Sequence, residues 1–217
     1  MNLEGITLHI LARKLQTTLI GAKITKVFMP TPASLLLVVR NGKDTFSLLA
    51  DFSGDSPLLY LPDNIPENPD TPPAFCMLLR KHLEDGRINK IEQLGLDRII
   101  NMEIDTIGPA KQIITKKLVF ELTGRNSNII FAENGIVIDA LKHISKVICS
   151  FRQILPNHIY NTPPEQTGLS FIYADPADIV ESIINRPAKN VLQSLISSTT
   201  GIGKFTASEL LFRSNIN

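Results

Sequence analysis

The chain has 217 residues, 22 Lys and Arg against 21 Asp and Glu, a formal net charge of +1, no Trp and two Cys. Its length suits one large domain, or a medium domain with a small one. The charge balance excludes a strongly basic nucleic-acid arm, though not a local patch, and the lack of any run of about 18 apolar residues excludes a transmembrane helix.

The start, MNLEGITLHILARKL, carries Glu4 and has neither the basic n-region nor the cleavage site of a signal peptide. Ile6, Ile10, Leu11, Leu15 and Leu19 keep helical spacing and predict an amphipathic helix over 7–19, ended by Gly21. Strands follow at 24–28, 35–40, 45–51 and 57–61, with Asn41-Gly42 as a hairpin turn. The segment 62–73 holds five prolines and several acids, and reads as a surface loop.

Residues 72–100, PPAFCMLLRKHLEDGRINKIEQLGLDRII, form the centre of the chain. Thr71 is placed to cap a helix that Pro72 and Pro73 open, and Phe75, Leu78, Leu79 and Leu83 give it one buried face. Arg80, Lys81 and His82 suit its C-terminal dipole, and Gly86 stands where a left-handed residue would stop it. Ile100, Met102 and Ile104 then alternate with polar residues as a half-buried strand, with a bulge or kink expected at Gly95. Asp97 and Arg98 sit at that bend. By parity Arg98 belongs with Ile100 and Met102, so it needs either a carboxylate partner or a bend that turns it outward.

Further strands are read through Leu118, Phe120 and Leu122, over 128–132 and over 136–141, with turns at 124–127 and at Glu133-Asn134-Gly135. About nine strands and two helices thus make a β-rich domain over 1–170. Pro156, Pro163 and Pro164 mark a linker, after which the period changes to 3.6. Helices over 176–184 and 187–196, and one from near Thr206, open a second, helical segment over 171–217. The apolar Leu210, Leu211 and Phe212 without a following partner suggest a piece of a longer protein.

The stretch 195–211 fits a helix–hairpin–helix, whose Gly201, Gly203 and Lys204 can hold a phosphate against helix amides or merely pack two helices. His9, His82, His143 and His158 lack metal-ligand spacing, and there is neither a Gly-x-Ser-x-Gly elbow nor a Walker loop. Glu121, Arg125 and His143 could meet near the Asp97 bend if their strands are neighbours. Cys76 and Cys149 read as reduced cytosolic core thiols. A non-enzymatic, cofactor-free, metal-free cytoplasmic protein is therefore expected.

Residues 72–88, Gly95-Leu96-Asp97-Arg98, the segment ELTGRNSN at 121–128 and DALKHI at 139–144 together resemble the N-terminal domain of the NFACT family, also called the fibronectin-binding protein A family. The resemblance covers nearly the whole chain. It implies an α+β fold: a β-rich two-layer domain like the N-terminal fold of formamidopyrimidine-DNA glycosylases, then the start of a helix–hairpin–helix domain. It also implies ribosome quality control. The full protein would bind obstructed large ribosomal subunits carrying peptidyl-tRNA, contact their RNA, and recruit tRNA (alanyl-tRNA in bacteria) for untemplated C-terminal tailing. The tRNA-binding residues so implied are Asp97, Arg98, Glu121, Leu122, Thr123 and Arg125. Thr123 is more polar than the common family residue, and Asn126 stands where His is frequent.

Two other classes fit the same resemblance. A DNA glycosylase would need an N-terminal proline amine, where this chain begins Met1-Asn2-Leu3-Glu4, and four zinc cysteines. A fibronectin-binding surface adhesin would need an export route.

Overall fold

A computed structural model describes residues 3–54, 56–186 and 188–215. The first helix, α1 (Gly5–Leu19), buries Leu8, Ala12, Leu15 and Leu19, and Gly21 beyond it takes φ +83°. Strands β1 (Lys23–Phe28), β2 (Ser34–Asn41), β3 (Asp44–Asp51) and β4 (Leu58–Tyr60) form an antiparallel meander. Asn41 pairs with Asp44, so the β2–β3 loop is Gly42-Lys43, one residue later than the expected Asn41-Gly42, with Gly42 at φ +61°.

Helix α2 (Ala74–Leu83) starts after both prolines; Pro73 stands at its N-cap and no side chain caps it, so Thr71 does not have the role its position suggested. Its buried residues are Phe75, Cys76, Leu79 and Leu83, with Leu78 packed at the margin of the core. The left-handed residue at its end is Asp85 (φ 70°), not Gly86. Gly86 is needed for space instead: a Cβ there would lie 2.8 Å from Ile104 Cγ2 and 3.0 Å from Leu83 O.

Residues 87–107 form two strands, β5 (Arg87–Gln93) and β6 (Ile99–Ile107), paired from Gln93–Ile100 to Arg87–Asp105. Gly95 at φ +55° reverses the chain rather than bending one strand, because Asp97 N closes the turn on Leu94 O at 2.9 Å. The meander continues through β7 (Ile113–Glu121), β8 (Asn128–Glu133) and β9 (Ile136–Ala140). Asn134 (φ 51°) and Gly135 (φ 78°) make the two-residue loop between β8 and β9, which suits the twist of a hairpin.

All nine strands join in one sheet, ordered β4-β3-β2-β1-β5-β6-β7-β8-β9. β1 and β5 share a narrow seam, and the halves on either side enclose a common core with α1 and α2. Leu35, Leu37, Val39 and Leu48 enter it from one half, and Ile100, Met102, Leu118, Phe120 and Phe131 from the other. Lys116 shares the core face with Leu118 and Phe120 and is 7% exposed. Its ammonium donates to His82 Nδ1 at 2.7 Å, which requires the neutral imidazole, and faces Glu133 at 3.4 Å. Burial and the charges of Lys116 and Lys81 hold His82 below the ordinary histidine range.

The segment 141–161, where the sequence suggested a linker from Pro156, covers the outer face of the β5–β9 half. Its bridges Ile144–Ile154 and Ile136–Ile159 seat Ile154 and Tyr160 on Ile99, Val119, Ile130 and Val137. Glu121, at the end of β7, fastens it. Arg152 Nη1 and Nη2 each donate to a Glu121 carboxylate oxygen at 2.6 Å, and Tyr160 OH donates at 2.8 Å. Burial alone would lower Arg152, but its bonds to Glu121 and the carboxylate charge outweigh that and raise it. Burial and the same carboxylate push the Tyr160 phenol far above its usual range.

The helical segment holds α3 (Pro176–Asn185), capped by Asp175, α4 (Val191–Ser198), capped by Asn190, and α5 (Lys204–Arg213). The second helix therefore starts later than expected, at the Asn190 cap, and Pro187 lies outside the described residues; the third starts at Lys204 rather than Thr206. Short parallel strands β10 (Leu169–Ser170) and β11 (Thr199–Thr200) tie this segment together, and Ile179, Leu195, Ile202 and Ala207 form its core with Ile6 of α1.

Glu121→Ala should destabilise the chain by about 3–5 kcal/mol in urea titrations, because it strands a buried guanidinium. Replacing Glu121 and Arg152 together by apolar residues should cost less than the single change. A double variant as unstable as Glu121→Ala would show that the pair is not the anchor of the segment.

Candidate nucleic-acid interface

The antiparallel meander puts the β5–β6 loop (94–98), the β7–β8 loop (122–127) and the exit from β9 (141–146) at one end of the sheet. Leu122 N donates to Arg98 O at 2.7 Å, joining the first two. Asn128, fully buried, joins the third: its side chain donates to Lys142 O at 2.8 Å and accepts from Lys142 N at 2.9 Å. One turn of 3-10 helix, Gly124–Asn126, carries Arg125 and Asn126 exposed at the tip.

Asp97 and Arg98 are held by contacts to their backbone. Gln93 Nε2 donates to Asp97 O at 2.8 Å and to Gly5 O at 2.9 Å, which ties the loop to the start of α1. Leu96 between them is buried where three backbones meet. A Cβ on Gly5 would lie 2.0 Å from Leu96 O and 2.8 Å from Gly201 Cα, and one on Gly201 would lie 2.6 Å from Leu96 Cδ1. Ile6 N donates to Gly201 O at 2.8 Å across the same contact. Gly201 has φ +95°, so it meets a conformational and a spatial need at once.

Two clefts lie at Leu96, which lines both of them together with Gln166. The first, about 320 Å³, is lined by Leu94, Gly95, Asp97, Glu165, Tyr173 and Thr200 among others. The second, about 250 Å³, is lined by Glu4, Arg98, Gly201, Gly203 and Lys204 among others. The two groups singled out in the sequence, Asp97-Arg98 and the Gly201-Gly203-Lys204 hairpin, thus belong to one region. Burial first, and the charge of Glu165 second, raise Asp97 above the ordinary aspartate range, against the pull of Arg98. Among the described residues Arg98 has neither an ion pair nor a side-chain hydrogen bond, so the chain reversal, not a bend within a strand, places it in the cleft lining and the alternative, an internal carboxylate partner, does not hold.

Other expected site residues lie differently. Glu121 and Leu122 are fully buried, so neither carboxylate nor isobutyl group is displayed for contact; their place is beneath the loop that carries Thr123 and Arg125. Glu121, Arg125 and His143 do not form a triad, since Glu121 holds Arg152 and His143 holds Asp139 at 2.7 Å. Two amides at the start of α5 are already taken by a carboxylate: Glu4 Oε1 accepts from Phe205 N at 3.0 Å, and Glu4 Oε2 from Thr206 N at 3.3 Å. A carboxylate satisfies the start of α5 as an anion would. Gly203 serves that contact, since a Cβ there would lie 2.6 Å from Glu4 Oε1. Cys76 is buried as a core thiol should be, whereas Cys149 is partly exposed, and both are free. No group of His, Cys, Asp and Glu among the described residues could hold a metal. None of the described helices is long and apolar enough to cross a membrane.

Glu4, Gln166 and Arg152 have no motif around them in the sequence. Only the absence of any Asp or Glu between Asp139 and Glu165 hinted that Arg152 must look elsewhere for a partner.

The sign of the Asp97 effect follows from its raised position. Native Asp97 binds its proton more tightly than the unfolded chain does, so its carboxylate weighs against folding above its native pKa and ceases to as pH falls through it. Asp97→Asn should therefore raise the melting temperature at pH 7, with the gain vanishing in acid; a lower melting temperature at pH 7 would refute the desolvated setting.

The family description "NFACT N-terminal and middle domains" matches residues 4–217. The chain is 33% identical over 219 aligned positions to the Rqc2 homolog RqcH of Bacillus subtilis, covering 100% of the chain and 38% of that protein. It is 30% identical to RqcH of Streptococcus pneumoniae, covering 97% and 38%. The chain thus spans little more than a third of these relatives. The N-terminal domain of the fibronectin-binding protein PavA from S. pneumoniae superposes with TM-score 0.87 at 27% identity, over 99% of this chain and 81% of that one. That of the fibronectin/fibrinogen-binding protein from Streptococcus suis gives 0.88 at 29%, over 99% and 80%. With a family match that runs over residues 4–217 and a relative 33% identical over the whole chain, this chain belongs to the NFACT family.

Proposed function

We propose that the chain is the tRNA-reading part of a cytoplasmic ribosome quality-control factor. That factor binds obstructed large ribosomal subunits carrying peptidyl-tRNA, contacts their RNA, and recruits tRNA, alanyl-tRNA in bacteria, for untemplated tailing of the stalled chain. The single observation that carries this is Arg98: a half-buried arginine fixed through its backbone, with no side-chain partner among the described residues, in the lining of a cleft. Structured RNA is recognised through phosphates, shape and splayed bases, and the planar guanidinium fork serves both phosphate and base edges. Asp97 beside it offers an acceptor for exocyclic amines, which separates bases that a cation alone would not.

The relatives named RqcH support the quality-control setting, and the role of Asp97 and Arg98 is the finer part of the reading. The hairpin at Gly201, Gly203 and Lys204 contributes Lys204 and a wall of the cleft, with Glu4 fixing its geometry. A second reading, binding of fibronectin, is favoured by the names of the solved relatives.

Arg98→Ala in the complete protein should abolish untemplated tail addition in cells and lower tRNA co-purification at least tenfold, with the melting temperature kept. Arg98→Lys should recover little, since an ammonium lacks the fork. Unimpaired tailing by both variants would overturn the assignment, and unchanged tRNA recovery with tight fibronectin binding would favour the second reading.

A further inference from the structure

We infer that the loop closed by the Ile144–Ile154 bridge is a second RNA contact, in which Phe151 stacks on an unpaired base while Lys142, Lys146 and Arg125 hold the flanking phosphates. This deepens the reading above and rests on it.

The loop projects apolar groups that the core does not use: Val147 is 97% exposed, Ile148 71% and Phe151 64%. It is nevertheless no loose end. The bridge pairs Ile144 N with Ile154 O and Ile154 N with Ile144 O at 2.9 and 2.8 Å. Next to Phe151, Arg152 is clamped by Glu121 and also donates to Asn161 O at 3.0 Å. An exposed aromatic on a fixed base is pre-organised for stacking, because little order remains to be imposed on binding.

The surrounding charge selects the partner. Residues 140–164 contain no Asp or Glu, and neither do residues 122–132 of the neighbouring loop and strand. Lys142 Nζ lies 3.4 Å from the Arg125 carbonyl oxygen, so this ammonium sits against the loop that carries Arg125. Among the described residues Arg125, Lys142 and Lys146 have no carboxylate partner. Asp139 is hydrogen-bonded to His143 at 2.7 Å, and Arg152 is neutralised within by Glu121. A protein-docking patch is depleted of charge at its centre. An exposed aromatic among uncompensated cations instead fits RNA, whose bases stack while its phosphates take the charge.

The test is fluorescence anisotropy of labelled tRNA with the whole chain over a salt series. Phe151→Ala should weaken binding at least about fivefold with the salt slope intact, as loss of one stacked base does. Phe151→Trp should restore it. Lys142→Ala with Lys146→Ala should flatten the slope by roughly one to two. All three variants alter exposed side chains, so their melting temperatures should match wild type. Weakening in Arg98→Ala without any in Phe151→Ala would overturn this inference and leave the Arg98 reading standing. A wild-type chain that does not bind tRNA would overturn both. If Phe151→Ala binds RNA normally but releases a protein partner in pull-downs, the loop is a protein contact and the inference fails.

Discussion

Three backbones touch at Gly5, Leu96 and Gly201, and the arrangement of the interface depends on that contact. No added side chain fits between them: a methyl group at Gly5 would overlap the backbone of Leu96 and Gly201, and one at Gly201 the Leu96 side chain. The contact joins the first helix, the β5–β6 loop and the link between α4 and α5, which are far apart in sequence. With Leu96 immobilised in this junction, Asp97 and Arg98 on its far side have a fixed backbone from which to reach into the two clefts. Gln93 adds a tether from strand to loop and helix, and Glu4 a second one from the chain start to α5.

The arginines illustrate how packing assigns roles that residue type alone does not. Arg152 gives up its hydration for a bidentate carboxylate, a tyrosine hydroxyl nearby and a carbonyl. Removing one partner of such a pair is expensive, although the intact pair is worth little over an apolar replacement. Its value is therefore positional: it seats segment 141–161 at the same end of the sheet as Arg98. Among the described residues Arg98 has no such partners, so one arginine fastens the fold and the other keeps its hydrogen-bonding capacity for a group from outside. Glu4 acts likewise, filling a helix start that would otherwise attract solvent anions.

Much of the fold could be read from periodicity. The alternation of β6 to β9, the Asn134-Gly135 turn and the spacing of α1 are local signals, and the structure follows them. Where the reading failed, a competing requirement came from elsewhere in the chain. Gly86 resembles a helix stop but serves its contact with Ile104, and Gly95 resembles a bulge but reverses two strands. Gly201 and Gly203 resemble a phosphate hairpin, yet they make room for Leu96 and Glu4. In the candidate site, Asp97 and Arg98 stood out as charges set in an apolar run. Arg152, Glu4 and Lys116 did not, since each acquires its meaning from a partner tens of residues or more away.

The contact between Glu4 and Phe205 closes a span of 201 residues. During synthesis α1 can form from local hydrogen bonds alone, yet it cannot acquire its last neighbours until the start of α5 has left the exit tunnel. The meander of β5 to β9 needs only adjacent segments and can assemble during this wait. A helix made before the sheet is thus completed only after it, because its contact with α5 closes so long a loop.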